Sequence, residues 1–202
     1  MKKETIVVAS SNKGKIREIK EIFKDYDVLS IKDIEGILGK KIVVNENKDT
    51  FKENALEKVR DLYEQVGKKY ICIADDSGIS IDVLNGFPGV HTARWLDAND
   101  HIKNLELLKK VGKTAKEKRK CHYTTVIALK SKNVEETFEC VLSGMVSDNA
   151  RGENGFGFDE IFELPNGKTL AEISTLEKLK LSPRKEALDM LNKYLKKFKT
   201  EK

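Results

Sequence analysis

Residues 70–94 constrain the fold more than any other stretch of this chain. A β-branched apolar run at 70–74 reads as a buried strand, and at its end come Asp75, Asp76, Ser77 and Gly78. Ile79, Ile81 and Val83 then alternate with Ser80 and Asp82, which is the period of a second, half-buried strand. Asn85-Gly86 and Pro88-Gly89 follow as two turns in quick succession. Carboxylates at a strand end beside a tight turn suit a hard cation such as Mg²⁺, which takes one or two carboxylates together with substrate phosphates. Buried without a metal or a partner, they would be costly. The same four residues are also ordinary turn chemistry, in which Asx side chains bond their own backbone, so the metal reading needs support from elsewhere.

That support starts near the N-terminus. Residues 5–9 read as a buried strand that runs into Ser10-Ser11-Asn12-Lys13-Gly14-Lys15. A helix follows, with Ile16, Ile19, Ile22 and Phe23 on one face. A strand, a small polar turn and a helix start make an anion cradle, because backbone N–H groups and the helix dipole point at the turn. Lys15 can reach a phosphate and Asn12 can hydrogen-bond one. The glycine spacing is not that of a Walker A loop, and a capped helix with two solvated lysines is the plain alternative.

Strands are expected at 28–31 and 41–44, with the acid Glu46 just beyond. Thr50 reads as the cap of an amphipathic helix that turns Phe51, Ala55, Val59, Leu62, Tyr63 and Val66 inward and is closed by Gly67. Asn99 or Asp100 caps another, running to Val111 with Ile102, Leu105 and Leu108 inward. Residues 123–129 and 137–146 read as a hairpin of two long strands. His91, His101 and His122 have no partners at ligand spacing and read as structural. Glycines alternate with aromatics in Gly155-Phe156-Gly157-Phe158-Asp159, where rings either lie against a planar ligand or dock into the core. Ser182-Pro183-Arg184 opens a last helix with Ala187, Leu188, Leu191, Tyr194, Leu195 and Phe198 inward. Arg184 falls in its first turn, where the dipole favours an acid, which hints at a ligand-directed role. Interleaved strands and helices, then a hairpin and a helical end, make a mixed α/β fold.

At 202 residues the chain suits a single domain over 1–202, in one or two lobes. Its net charge of +5, from 38 basic and 33 acidic residues, fits small anionic ligands but is too dispersed for nucleic acid. Three cysteines without metal spacing fit a reducing compartment. With no stretch near the ~20 apolar residues of a membrane span, a cytoplasmic protein is expected.

Taken in order, these stretches resemble the inosine triphosphate pyrophosphatase family, which removes deaminated purine nucleotides. The resemblance rests on Ser-Asn-Lys-Gly-Lys at the first turn, Glu46 with Phe51-Lys52-Glu53-Asn54-Ala55, and Ala74-Asp75-Asp76-Ser77-Gly78 with Pro88-Gly89. It extends to Gly155-Phe156-Gly157-Phe158-Asp159 and to Lys178 with Ser182-Pro183-Arg184. It implies an elongated mixed β-sheet flanked by helices, two lobes with a central substrate cleft, and a homodimer. The implied reaction is Mg²⁺-dependent cleavage of ITP, dITP or XTP to the monophosphate and pyrophosphate, with one Mg²⁺ per subunit.

By the same resemblance, Ser10, Ser11, Asn12, Lys13, Gly14 and Lys15 form the triphosphate cradle. Glu46 and Asp76 are metal ligands, Asp76 doubles as general base, and Ser77 is a substrate contact. Phe156, Gly157 and Phe158 take the purine, with Asp159, Lys178, Pro183 and Arg184 around its edge and sugar. Asp75 has a supporting role, since neighbouring side chains in an extended chain face opposite ways. Donors such as Arg184 would meet a 6-carbonyl and reject the amino group of adenine. Two departures stand out: Pro183 where the family commonly has histidine, and His91 where it often has tyrosine. A pyrophosphatase for pyrimidine or other modified nucleotides, or a nucleotide-binding module without turnover, remains the alternative.

Overall fold

The computed structural model describes residues 3–200, the last three by backbone alone. Its strands are β1 (Thr5–Val8), β2 (Asp27–Ser30), β3 (Ile71–Ile81), β4 (Lys120–Ser131), β5 (Val134–Val146) and β6 (Phe162–Glu163). They form a six-stranded sheet in the order β2-β1-β3-β4-β5-β6. β1 runs parallel to β2 and β3, whereas β5 and β6 are antiparallel. Only Lys132 and Asn133 join β4 to β5, a link too short for anything but an antiparallel hairpin. The α-helices are α1 (Lys13–Ile22), α2 (Ile31–Leu38), α3 (Phe51–Val66), α4 (Asp100–Val111), α5 (Thr175–Leu181) and α6 (Pro183–Thr200). The fold is therefore a mixed α/β sheet with helices, as expected. No helix among the described residues is long and apolar enough to cross a membrane.

The chain divides into two compact units. The first comprises Met1–Asp76, Thr125–Cys140 and Arg184–Lys202; the second comprises Ser77–Thr124 and Val141–Pro183. In the first unit, alternation along the strands feeds two cores. Ile6, Val8 and Ile73 pack with Ile16, Ile19 and Phe23 of the α1 region and with Ala187, Leu188 and Leu191 of α6. Val7, Cys72 and Ala74 pack with Ile34 of α2 and Ala55, Val59 and Leu62 of α3. Both sheet faces are covered, which is why β1 and the start of β3 read as unbroken apolar runs. In the second unit, Ile79, Ile81, Cys121 and Tyr123 pack with Leu107 and Val111 of α4 and with Phe162. Each large side chain buried in these cores contributes ~1.5–3 kcal/mol.

Helix starts follow the sequence closely. Asn12, Ser30, Thr50 and Asn99 cap α1, α2, α3 and α4, and Ser30 with Asp33 forms a full capping box. Cys72, Cys121 and Cys140 are free and buried, and burial pushes the Cys72 thiol up to about 12, so it is inert at neutral pH.

Three expectations are corrected. Residues 70–74 and 79–83 are not two strands, because β3 runs unbroken through Asp75-Asp76-Ser77-Gly78 and ends at Ile81, leaving Val83 in a 3₁₀ turn. Residues 41–44 form no strand. Their backbone is satisfied by side chains of neighbouring helices instead of a sheet partner. On α4 the buried residues are Asn104, Leu107 and Val111, so Leu105 and Leu108 give way to the residues one position before them, and Ile102 is 43% exposed. The inward placement expected for Phe198 lies outside the residues whose side chains are described.

Candidate active site

Asp75 and Asp76 are consecutive residues of β3, so their side chains leave opposite faces of the sheet. Asp75 shares the face of Ile73 and meets two cations, accepting from Lys15 Nζ and, at 2.7 Å, from Arg184 Nε. Burial would raise its carboxyl, but Arg184 and Lys15 outweigh that and hold it well below the usual carboxylate range. Glu18, one turn along α1 from Lys15, lies 3.4 Å from Arg184 Nη1.

Asp76 shares the face of Ala74 and turns to α3. Its Oδ1 accepts from Lys58 Nζ at 2.9 Å, and the same ammonium donates to Glu46 Oε1 at 2.5 Å and to the Asp75 carbonyl at 2.7 Å. Asp76 Oδ2 is buried and has no hydrogen-bond partner among the described residues. Burial, with smaller contributions from Glu46 and Asp75, pushes the Asp76 carboxyl up despite Lys58. Burial opposes the charge on Lys58, yet Asp76 and Glu46 outweigh it and keep the amine protonated.

Two local features bring Glu46 and Lys58 together. Lys58 lies on the buried side of α3, between Ala55 and Leu62, and is only 3% exposed. The segment carrying Glu46 runs extended along α3, whose side chains take the place of a neighbouring strand. Gln65 Oε1 accepts from Val43 N at 3.1 Å and Asp61 Oδ2 from Asn45 N at 2.8 Å. Glu57 Oε2 accepts from Asn47 N at 3.2 Å and Asn54 Oδ1 from Lys48 N at 2.9 Å. Spaced by three or four residues, these four acceptors share one helix face; three of them meet the alternate N–H groups of Val43, Asn45 and Asn47, and the fourth meets that of Lys48.

At the β1–α1 turn, Asn12 Oδ1 accepts from Gly14 N at 2.9 Å and Lys15 N at 3.1 Å, while Ser10 Oγ accepts from Asn12 N at 3.1 Å. Asn12 therefore shapes the turn as a helix cap. Ser11, Lys13 and Gly14 are exposed, and Lys15 alone reaches back to β3.

In the second unit, the two phenylalanines of the glycine-rich turn part ways. Phe158 docks inward, edge-on to Tyr123 at 4.9 Å and tilted against Phe162, whereas Phe156 is 59% exposed. Phe156 N donates to Asp159 Oδ2 at 2.8 Å, Lys178 of α5 also pairs with Asp159, and its Nζ sits 4.6 Å from the Phe156 ring centre. Gly157 N donates to Asp100 Oδ2 at 2.7 Å, and Asn104 Nδ2 donates to Gly157 O at 2.9 Å, which ties the turn to α4. Gly155 takes φ +88, and a Cβ there would run into Asp159 Oδ2. Ser77 follows Asp76 on β3, and Pro183 takes the first position of α6. His101 lies 2.8 Å from Glu160, and His122 lies 3.2 Å from Asp82.

The expected residues thus gather as Lys15, Asp75 and Arg184, as Glu46 and Asp76, and as Phe156, Asp159 and Lys178. Arg184 does not present a free guanidinium: it is 4% exposed, with Nε on Asp75. Phe158 is half-buried, with its ring against Tyr123 and Phe162 at the edge of the second unit's core. The sequence reading passed over Lys58 and Glu18. A lysine on the apolar face of an amphipathic helix was the available signal for Lys58.

No group of three or more His, Cys, Asp or Glu side chains stands ready for a metal among the described residues. A pair of carboxylates suffices for a cation that draws its other ligands from water and phosphate. Glu46 and Asp76 share one ammonium, which leaves one negative charge over, and Asp76 keeps a buried oxygen without a partner. Those features fit a hard divalent ion.

This chain belongs to the Ham1 family, whose model matches residues 6–194. Among similar proteins is the dITP/XTP pyrophosphatase of Thermoanaerobacter sp. (strain X514), 42% identical, the match covering 98% of this chain and 99% of that protein. The solved Ham1 protein of Staphylococcus aureus aligns with a TM-score of 0.86 at 36% identity, covering 96% of this chain and 98% of that one. A HAM1 protein from Coxiella burnetii aligns with a TM-score of 0.83 at 29% identity, covering 96% and 99%.

Proposed function

We propose that this chain is a nucleoside triphosphate pyrophosphatase that converts deaminated purine nucleotides (ITP, dITP and XTP) to the monophosphate and pyrophosphate. The observation that carries the reading is Asp76, a buried carboxylate with one oxygen on Lys58 and the other without a partner among the described residues. Its near-full-length similarity to a dITP/XTP pyrophosphatase supports the choice of substrate. The working unit is the whole chain, 1–202, acting as a homodimer in the cytoplasm.

Glu46 and Asp76 would hold Mg²⁺, which when bound neutralises the polyphosphate and acidifies a coordinated water. The chain's own residues do the rest. Lys15, held by Asp75, meets the phosphates at the turn formed by Ser10 to Lys15. Asp76 orients a water and accepts its proton as the water oxygen bonds to the α-phosphorus and the bridge to the β-phosphate breaks. Pyrophosphate leaves with the bonding pair.

Phe156 supplies an exposed ring for the purine, and Asp159 with Lys178 supplies polar groups beside it. Lys178 is the donor here for a 6-carbonyl, which an amino group at that position could not accept. Arg184 acts as a positioning residue through Asp75. The test is pyrophosphate release from ITP, dITP, XTP, ATP, GTP and pyrimidine triphosphates, with and without Mg²⁺. Preferential release from the first three, dependent on Mg²⁺, is expected. Tight ITP binding with no pyrophosphate released would overturn the reading.

A further inference from the structure

A groove of about 520 Å³ runs along α1 in the first unit, and five of the ten residues around it are basic. Lys13, Arg17, Lys20 and Lys24 come from the α1 region at spacings of three or four residues, so they share one face, and Lys32 joins them from α2. None of the five forms an ion pair among the described residues. Two carboxylates, Glu21 and Asp33, also line it. Asp33 Oδ2 is already engaged, accepting from Ser30 N and Ser30 Oγ at 2.8 Å each in the α2 capping box. Five cations against two acids leave a formal surplus of three positive charges among the residues around the groove.

We propose that this groove is a second anion-binding site, specific for condensed phosphate and distinct from the Lys15–Asp75 cluster. Its volume falls in the ~300–1,000 Å³ range of small-ligand sites, too confined for a nucleic-acid duplex. Ile16 gives it an apolar floor, and Ser11 and Lys13 at its head also belong to the β1–α1 turn. A polyphosphate captured here is delivered beside that turn, because a cleft lined by one sign of charge concentrates ions of the other. The delivery role rests on the pyrophosphatase reading; the binding does not.

The test is calorimetric titration of inorganic tripolyphosphate, without Mg²⁺ at low salt, into the wild-type chain and into R17E/K20E. Both substitutions lie on an exposed helix face, and R17Q/K20Q serves as the milder pair if circular dichroism shows R17E/K20E misfolded. Two tripolyphosphate sites on the wild type and one on the variant are expected. A variant that binds as many ions as the wild type overturns the proposal, as does a 20-nucleotide single strand that binds the groove more tightly than tripolyphosphate. Kinetics distinguish the source of the phosphate. A fall of about tenfold in kcat/KM for dITP, with kcat kept, marks a nucleotide-borne tail; unchanged kinetics beside lost binding mark free condensed phosphate. If the wild type hydrolyses no dITP or XTP, the pyrophosphatase reading fails while the titration still decides the groove.

Discussion

Asp75 and Asp76 carry the same group into opposite surroundings, and their replacement should separate stability from turnover. Asp75 is fully engaged as an anion, so Asp75→Asn removes the buried carboxylate that Lys15 and Arg184 share, although Glu18 still faces Arg184. Breaking a buried pair in this way costs ~3–5 kcal/mol, to be read as a lower midpoint in urea. At Asp76 the loss is smaller, because Glu46 still pairs with Lys58 once the Asp76 charge is gone. Asp76→Asn should lower the urea midpoint less than Asp75→Asn does, yet lose ~10²–10⁴-fold in kcat. An asparagine variant with near-normal turnover would remove Asp76 from the mechanism. Alternation alone made the split legible in the sequence. The partners were not legible, because Lys58 and Arg184 lie 18 and 109 residues from the aspartates they meet.

Among the elements, α3 carries several jobs on different faces. One face packs the core, another serves as surrogate strand for the Glu46 segment, and Arg60 reaches the β4–β5 hairpin. Arg60 Nε donates to Glu135 Oε2 at 3.0 Å, Nη2 takes the other oxygen, and Lys130 Nζ lies 2.9 Å from Oε2. Hydrogen bonding from Arg60 lowers the Glu135 carboxyl to about 2. A depressed carboxylate stabilises the fold above its unfolded pKa, and that contribution fades as pH falls toward the folded value. Because Arg60 is half-exposed, Glu135→Gln should cost no more than ~1 kcal/mol at pH 7, with the difference from wild type shrinking as pH falls to about 2. Denaturant titrations at both pH values check this. The glycine-rich turn depends on a different restriction. Gly155→Ala forces a side chain into a left-handed backbone and against Asp159, so KM for dITP should rise and the melting temperature fall while kcat holds. Caps and helix faces were readable here because their signals are local; the surrogate strand at 42–48 was not, since an extended segment reads alike whether its partner is a sheet or a row of side chains.

For the molecule as a whole, the division into two units predicts separable halves of recognition. Inorganic tripolyphosphate has no base, so its affinity should respond to Lys15→Met and ignore Phe156→Ala. The nucleotide should lose ~1–3 kcal/mol of binding in Phe156→Ala, if stacking is its main contribution. A nucleotide affinity indifferent to Phe156 would remove the ring from the site. The order of strands and helices was legible across most of the chain, because each amphipathic face and cap announces itself within a dozen residues. How distant segments share charge was not. One such sharing has a practical result. Since the ammonium of Lys58 already holds Glu46 and Asp76 in place, a chelator should silence the enzyme without loosening it: melting curves with and without EDTA should superimpose, and added magnesium should restore full activity with no refolding step.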